Sequence, residues 1–93
     1  MRLSQLGAKL LGVESEIDIS ELVAPHTEQH QYDALVSLAS SIGMTAFSKS
    51  ALLRKHNAGC FQCAQGQFMA WVRKPEDKQK RKREREIYYY GYQ

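Results

Sequence analysis

The residues in this 93-residue chain best suited to chemistry are Cys60 and Cys63, spaced Cys-x-x-Cys. His56 lies four residues earlier, and His26 and His30 form a further pair upstream. Thiolates and imidazoles in these numbers suffice for a tetrahedral zinc site. The two groups lie about thirty residues apart, however, and a single Cys-x-x-Cys is a weak signature. Cysteines beside an apolar helical stripe usually serve as small core residues. The expectation is no metal and no cofactor. Cys63 and His56 also offer a nucleophile and a base, but no third group orients the base and nothing marks an oxyanion site. With no Gly-rich phosphate loop and no defensible carboxylate pair, the chain reads as a non-enzyme without an evident small-molecule substrate. Three residues apart on a helix, the cysteines are expected to stay unbridged.

Charge supplies the stronger signal. Residues 1–47 carry two basic side chains against six acids, and residues 48–93 carry eleven against four. The densest part, Arg73 to Arg85, has eight basic residues in thirteen and leads into Ile87-Tyr88-Tyr89-Tyr90-Gly91-Tyr92. Basic residues next to aromatics suggest a surface for polyanions. The longest wholly apolar run, Phe68 to Val72, is far below the ~20 residues of a membrane span. The first twelve residues show no cleavage site. The expectation is a cytoplasmic protein with no membrane partner.

The elements that position these groups follow from periodicity. Leu3, Leu6, Leu10 and Leu11 form an amphipathic stripe, which makes residues 1–25 an N-terminal helix and acidic linker and a candidate homodimer seam. Tyr32, Leu35, Leu38, Ala39 and Ile42 mark the clearest helix, with Thr27 as N-cap and Gly43 at its end. Met44 to Phe47 looks extended. Ser48 or Ser50 caps a short helix over 51–56, and Asn57-Ala58-Gly59 forms a turn. Phe61, Ala64, Phe68, Trp71 and Val72 have helical spacing. A hairpin turning at Gln65-Gly66 competes, because a mid-helix glycine costs about 1 kcal/mol. The apolar face favours the helix. Residues 76–85 are expected as an exposed loop and Glu86 to Tyr92 as a closing strand.

In this order the elements resemble the winged helix-turn-helix of bacterial, phage and plasmid transcription regulators. The resemblance rests on Ala34 to Gly43, Ser48 to Lys55, the third helix and Tyr88 to Tyr90. It implies a mainly α fold with a small β-sheet (α+β), in which residues 26–93 form the winged domain. It also implies a homodimeric regulator bound to double-stranded DNA. Gln62 and Gln67 would face bases, while Lys49, Arg73 and Lys74 meet phosphate. Lys78, Lys80, Arg81, Lys82, Arg83 and Arg85 would form the wing. Two other readings stay open. One is a protein-interaction module or inhibitor from a mobile genetic element. The other is RNA or single-strand binding through the basic loop and tyrosines.

Overall fold

Helix α1 (Gln29–Ile42) is the centre of the computed structural model, which describes residues 19–91. Residues 31–39 of α1 are all buried, so this helix is covered around its whole circumference, and Asp33 and Ser37 go into the interior with Leu35 and Leu38. Its N-terminus is closed by Gln31, whose Oε1 accepts the Glu28 amide N–H at 2.9 Å. Gly43 ends it with φ of +93°, a conformation costly for residues with a Cβ.

Four shorter or more polar helices pack around that centre. Helix α2 (Met44–Ser48) inserts Phe47, and α3 (Ala51–Asn57) inserts Leu52, Leu53 and His56. Ser50 caps α3 by accepting the Leu53 N–H at 3.1 Å while donating to the Phe47 carbonyl at 2.7 Å. After a turn at Gly59, α4 (Phe61–Gln67) tightens into a 3₁₀ turn (Phe68–Trp71). Helix α5 (Asp77–Tyr90) then returns along α1, the most extensive pairing in the fold. The leading segment 19–27 consists of hydrogen-bonded turns, with Ile19 fully buried. The Asn57 carboxamide holds this segment, accepting from the Ala24 N–H at 2.8 Å and donating to the Leu22 carbonyl at 2.9 Å.

Several sequence expectations need correction. Among the described residues there is no strand, so the α+β winged fold gives way to an all-helical one. Met44 to Phe47 is helical. The expected wing loop and aromatic strand are one 14-residue helix. Lys, Arg, Glu and Gln are good helix formers, and nothing from residue 77 to 90 interrupts them. Gly91, at φ +82°, ends the run. Strand propensity in Tyr88 to Tyr90 yields to helix already under way, in which Ile87 and Tyr88 reach the core. The hairpin reading of 60–74 also falls, because Gly66 sits in α4 with open space around it. Thr27 does not cap α1. It is buried, donating to the Ala24 carbonyl at 2.7 Å. The Leu3, Leu6, Leu10 and Leu11 seam lies outside the described residues.

The cysteines differ from expectation as well, since Cys60 and Cys63 form a disulfide. Both were placed within a helix, but Cys60 is the N-cap, with ψ of 81°. Cys60 stands outside the helix proper, and the Cα atoms lie 5.2 Å apart, within bridging range. A loop this small is worth about 2 kcal/mol in chain entropy. Reduction should therefore lower the melting temperature by roughly 10 °C for a domain of this size. Thermal scans with and without reductant measure this. The Cys60→Ser/Cys63→Ser double variant should melt low in both, and a parent indifferent to reductant would refute the stabilising role.

Candidate functional site

The connection between the 3₁₀ turn and α5 builds a cavity of about 220 Å³. Ser41 and Ile42 from the end of α1 form one wall, with Trp71, Arg73, Lys74, Glu76, Asp77 and Arg81 completing it. The connection is fixed locally. Asp77 Oδ2 accepts the backbone N–H groups of Arg73 at 3.2 Å and Lys74 at 3.1 Å. This carboxylate also sits in the first turn of α5, where it complements the helix dipole. The Arg73 guanidinium lies 5.1 Å from the Trp71 ring centroid, a cation–π contact that orients the half-buried indole.

Beneath this pocket is a buried polar cluster. Arg81 and Glu84, 1 % and 0 % exposed, form an ion pair through Nη1 and Oε1. Arg81 Nη2 donates to Ser41 Oγ at 2.6 Å, and Ser37 Oγ donates to Glu84 Oε2. Burial pushes the Glu84 carboxyl above its ordinary range, against the opposing pull of Ser37, Arg81 and Lys80. Arg81 Nε is buried without a hydrogen-bond partner.

A second buried chain joins the leading turns, α3 and α5. His56 Nε2 lies 2.7 Å from Thr27 Oγ1, and His56 Nδ1 lies 2.6 Å from Tyr88 Oη. The Thr27 hydroxyl proton already goes to Ala24, so Thr27 accepts from Nε2–H. His56 is then the Nε2–H tautomer, and its Nδ1 accepts from the Tyr88 hydroxyl. Burial, then the charge of nearby His26, lowers the His56 pKa to about 4, which keeps this tautomer neutral. Burial likewise raises the Tyr88 phenol. Both groups are enclosed and fully used within the fold, so their role is structural.

The sequence-derived site residues separate into distinct groups. Lys49 is exposed at the end of α2, and Gln62 is exposed on α4, with Gln67 half-buried nearby. The third helix does turn its aromatic side inward as expected, but it is only two turns long before it tightens. Arg73 and Lys74 line the pocket. Lys78, Lys80, Lys82 and Arg83 are exposed on α5, and Arg85 is half-buried. Arg81, expected in the wing, lies in the core. Trp71, Glu76 and Asp77 were missed as site residues. Their signal was the Trp71-Val72-Arg73-Lys74-Pro75-Glu76-Asp77 sequence, in which an aromatic and both charge signs surround a proline.

These features define a small helical domain with a polar, tryptophan-lined pocket on one side and a cationic helix face on its surface. A family model described as phage lysozyme matches residues 4–86. The chain belongs to the phage lysozyme family. Among curated proteins, the endolysin of Salmonella phage P22 is 39% identical over 74 residues, covering 75% of this chain and 51% of that protein. The endolysin of Acyrthosiphon pisum secondary endosymbiont phage 1 is 54% identical over 43 residues, 46% of this chain and 30% of that protein. The endolysin of Bacillus phage B103 is 42% identical over 53 residues, 57% of this chain and 20% of that protein. The chain thus spans about half the length of these relatives or less. No solved structure gives a significant match.

Family membership overturns the DNA-binding regulator, its double-stranded DNA partner and the two alternatives beside it. It overturns the non-enzyme expectation too, since lysozymes are enzymes. The winged resemblance rested on an order of elements whose expected strand 44–47, wing and closing strand are helices α2 and α5.

Proposed function

We propose that this protein acts on bacterial peptidoglycan as a phage lysozyme, with the helical domain forming one wall of the site that holds the glycan strand. The family match through α1 to α4 and most of α5 carries this reading. The pocket beside Trp71 suits the substrate. An indole accepts the apolar face of a pyranose ring, while the flanking charged groups hydrogen-bond to hydroxyls, amides or carboxylates.

Glycosidic cleavage requires two carboxyl groups flanking the scissile bond, about 5–9.5 Å apart. Among the described residues, Asp33 and Glu84 are buried and hydrogen-bonded, and Asp77 is engaged by two backbone N–H groups. None of these three is free to donate a proton to a leaving group. These three supply structure and positioning, and the exposed Glu76 in the pocket lining is a carboxyl group open to a bound glycan.

The test is incubation of the purified chain with purified sacculi, following co-sedimentation and the release of soluble reducing ends. Binding accompanied by release is the expected result. A chain that neither sediments with sacculi nor releases fragments refutes the proposal. Trp71→Ala should weaken co-sedimentation at least tenfold, in line with a tryptophan at the centre of a contact. Trp71→Phe should retain most of it. Melting temperatures of both variants separate lost contact from lost packing, because Trp71 also leans on the core.

A further inference from the structure

We propose that the outward face of α5 is a docking surface for an anionic phospholipid bilayer. This inference goes beyond the wall-degrading reading and does not depend on it. At 100° per residue, the buried side chains Arg81, Glu84, Ile87 and Tyr88 share one face of α5. The opposite face presents Lys78, Lys82 and Arg83 in its first half and Tyr89 and Tyr90 in its last turn, all exposed. Lys80 is exposed but lies on the side of the buried residues, and Glu86, the single exposed acid on the helix beyond its cap, stands between Lys82 and Arg83 on the outward face. A 14-residue helix is about 21 Å long, so the cations and aromatics lie along one ridge.

Charge alone would suit any polyanion, but the tyrosines point to a bilayer. Tyr89 and Tyr90 are 41% and 65% exposed, with ring centroids 5.0 Å apart in an edge contact. Two large rings left in water at the end of a cationic ridge have little purpose toward a polyanion that carries no bases to stack on them. At a lipid surface such rings lie at headgroup depth, hydroxyls in water, while lysine and arginine stems reach lipid phosphates. No helix of the described residues is long and apolar enough to cross a membrane. Docking through α5 itself is therefore peripheral. The core groups on the other face stay in place throughout.

The experiment is flotation of the full chain with vesicles of phosphatidylcholine alone and of phosphatidylcholine mixed with phosphatidylglycerol. Binding to mixed vesicles only, falling steeply with salt, is expected. The Lys78→Gln/Lys82→Gln/Arg83→Gln variant should bind about a hundredfold more weakly, since each cation contributes roughly one factor of five. The Tyr89→Ser/Tyr90→Ser variant should lose several-fold while keeping its salt dependence. All substituted residues are exposed, so unchanged melting temperatures are expected and are checked. No flotation with mixed vesicles at low salt overturns the proposal. So does full binding by the tyrosine variant, which would assign the ridge to soluble polyanions instead. The sacculus assay run on the charge variant should give parental values, so failure at the bilayer and failure at the wall are read independently.

Discussion

Arg81→Met destabilises the folded domain by about 3–5 kcal/mol, the characteristic loss when one member of a buried ion pair is removed. A domain this small has total stability of order 5–15 kcal/mol, so this one substitution removes a large share. The cost arises at Glu84. Its carboxylate, 0% exposed, would keep only the Ser37 hydroxyl as partner and would have no counter-charge in a medium that solvates it poorly. Ser41 also loses its bond from Nη2. The double variant Arg81→Met/Glu84→Leu should recover most of the loss, because an apolar pair of similar volume demands no desolvation. What it fails to recover is about 1 kcal/mol for the buried Ser37 left without its charged partner, since Ser41 is exposed and can turn to water. Urea unfolding midpoints measure these differences, with Lys82→Gln as a control expected within about 0.5 kcal/mol. If Arg81→Met behaves like that exposed control, Arg81 is solvated and the buried cluster is refuted.

Stability should also fall by about 3 kcal/mol between pH 6.5 and pH 4 because of His56 alone. Its folded pKa of about 4 lies below the unfolded value of 6.5. At pH values between the two, the unfolded chain binds a proton at this position that the native state refuses. Each pH unit crossed therefore costs about 1.4 kcal/mol, and the loss levels off below the folded pKa. Above pH 6.5 the contribution is fully present. The structural reason is burial first and the charge of nearby His26 second, both of which disfavour the imidazolium. Glu84 acts in the opposite sense. Its raised pKa means that the native state takes up a proton before the unfolded chain does, which stabilises it as pH falls. Comparison with His56→Gln isolates the histidine. That variant should be less stable at pH 7.5 but should lack the parental slope between pH 6.5 and 4.5. An identical slope in both proteins would show that His56 is already protonated or exposed.

Much of the local helical structure was legible. The apolar spacing from Tyr32 to Ile42 located α1, Gly43 ended it, and Ser50 capped α3 as its side chain allowed. The inward aromatic side of Phe61 to Trp71 was also readable, though not its tightening into a 3₁₀ turn. The basic segment was misread because its charge concealed a stripe. Arg81, Glu84 and Tyr88 stand at helical offsets 0, 3 and 7 with Ile87 beside them, the spacing of a buried helix face. Two of those residues are charged, and an isolated charged residue is rarely fully buried. Only the pairing of Arg81 with Glu84, beneath the serines of α1, makes their burial tolerable.

The pocket was invisible for a related reason. Trp71 and Arg73 are near neighbours in sequence, but Ser41 and Ile42 come from an element some thirty residues earlier. Which end of α1 they meet depends on the return of α5. The disulfide was likewise not specified by the spacing of the cysteines, since Cys60 stands at the N-cap rather than within the helix.

By itself, the sequence located α1 and its end at Gly43, offered Ser50 as a cap for α3, and put a cationic segment at the C-terminal end. Those properties depend on side chains within a turn or two of one another, through caps, propensity and periodicity. Tertiary structure decided which charges are solvated and which are buried. It took Arg81 into the core, left Lys78, Lys82 and Arg83 outside, and joined Thr27, His56 and Tyr88 across about sixty residues of chain. A charged group's place depends on its partner, and that partner is brought by the fold rather than by the neighbouring residues.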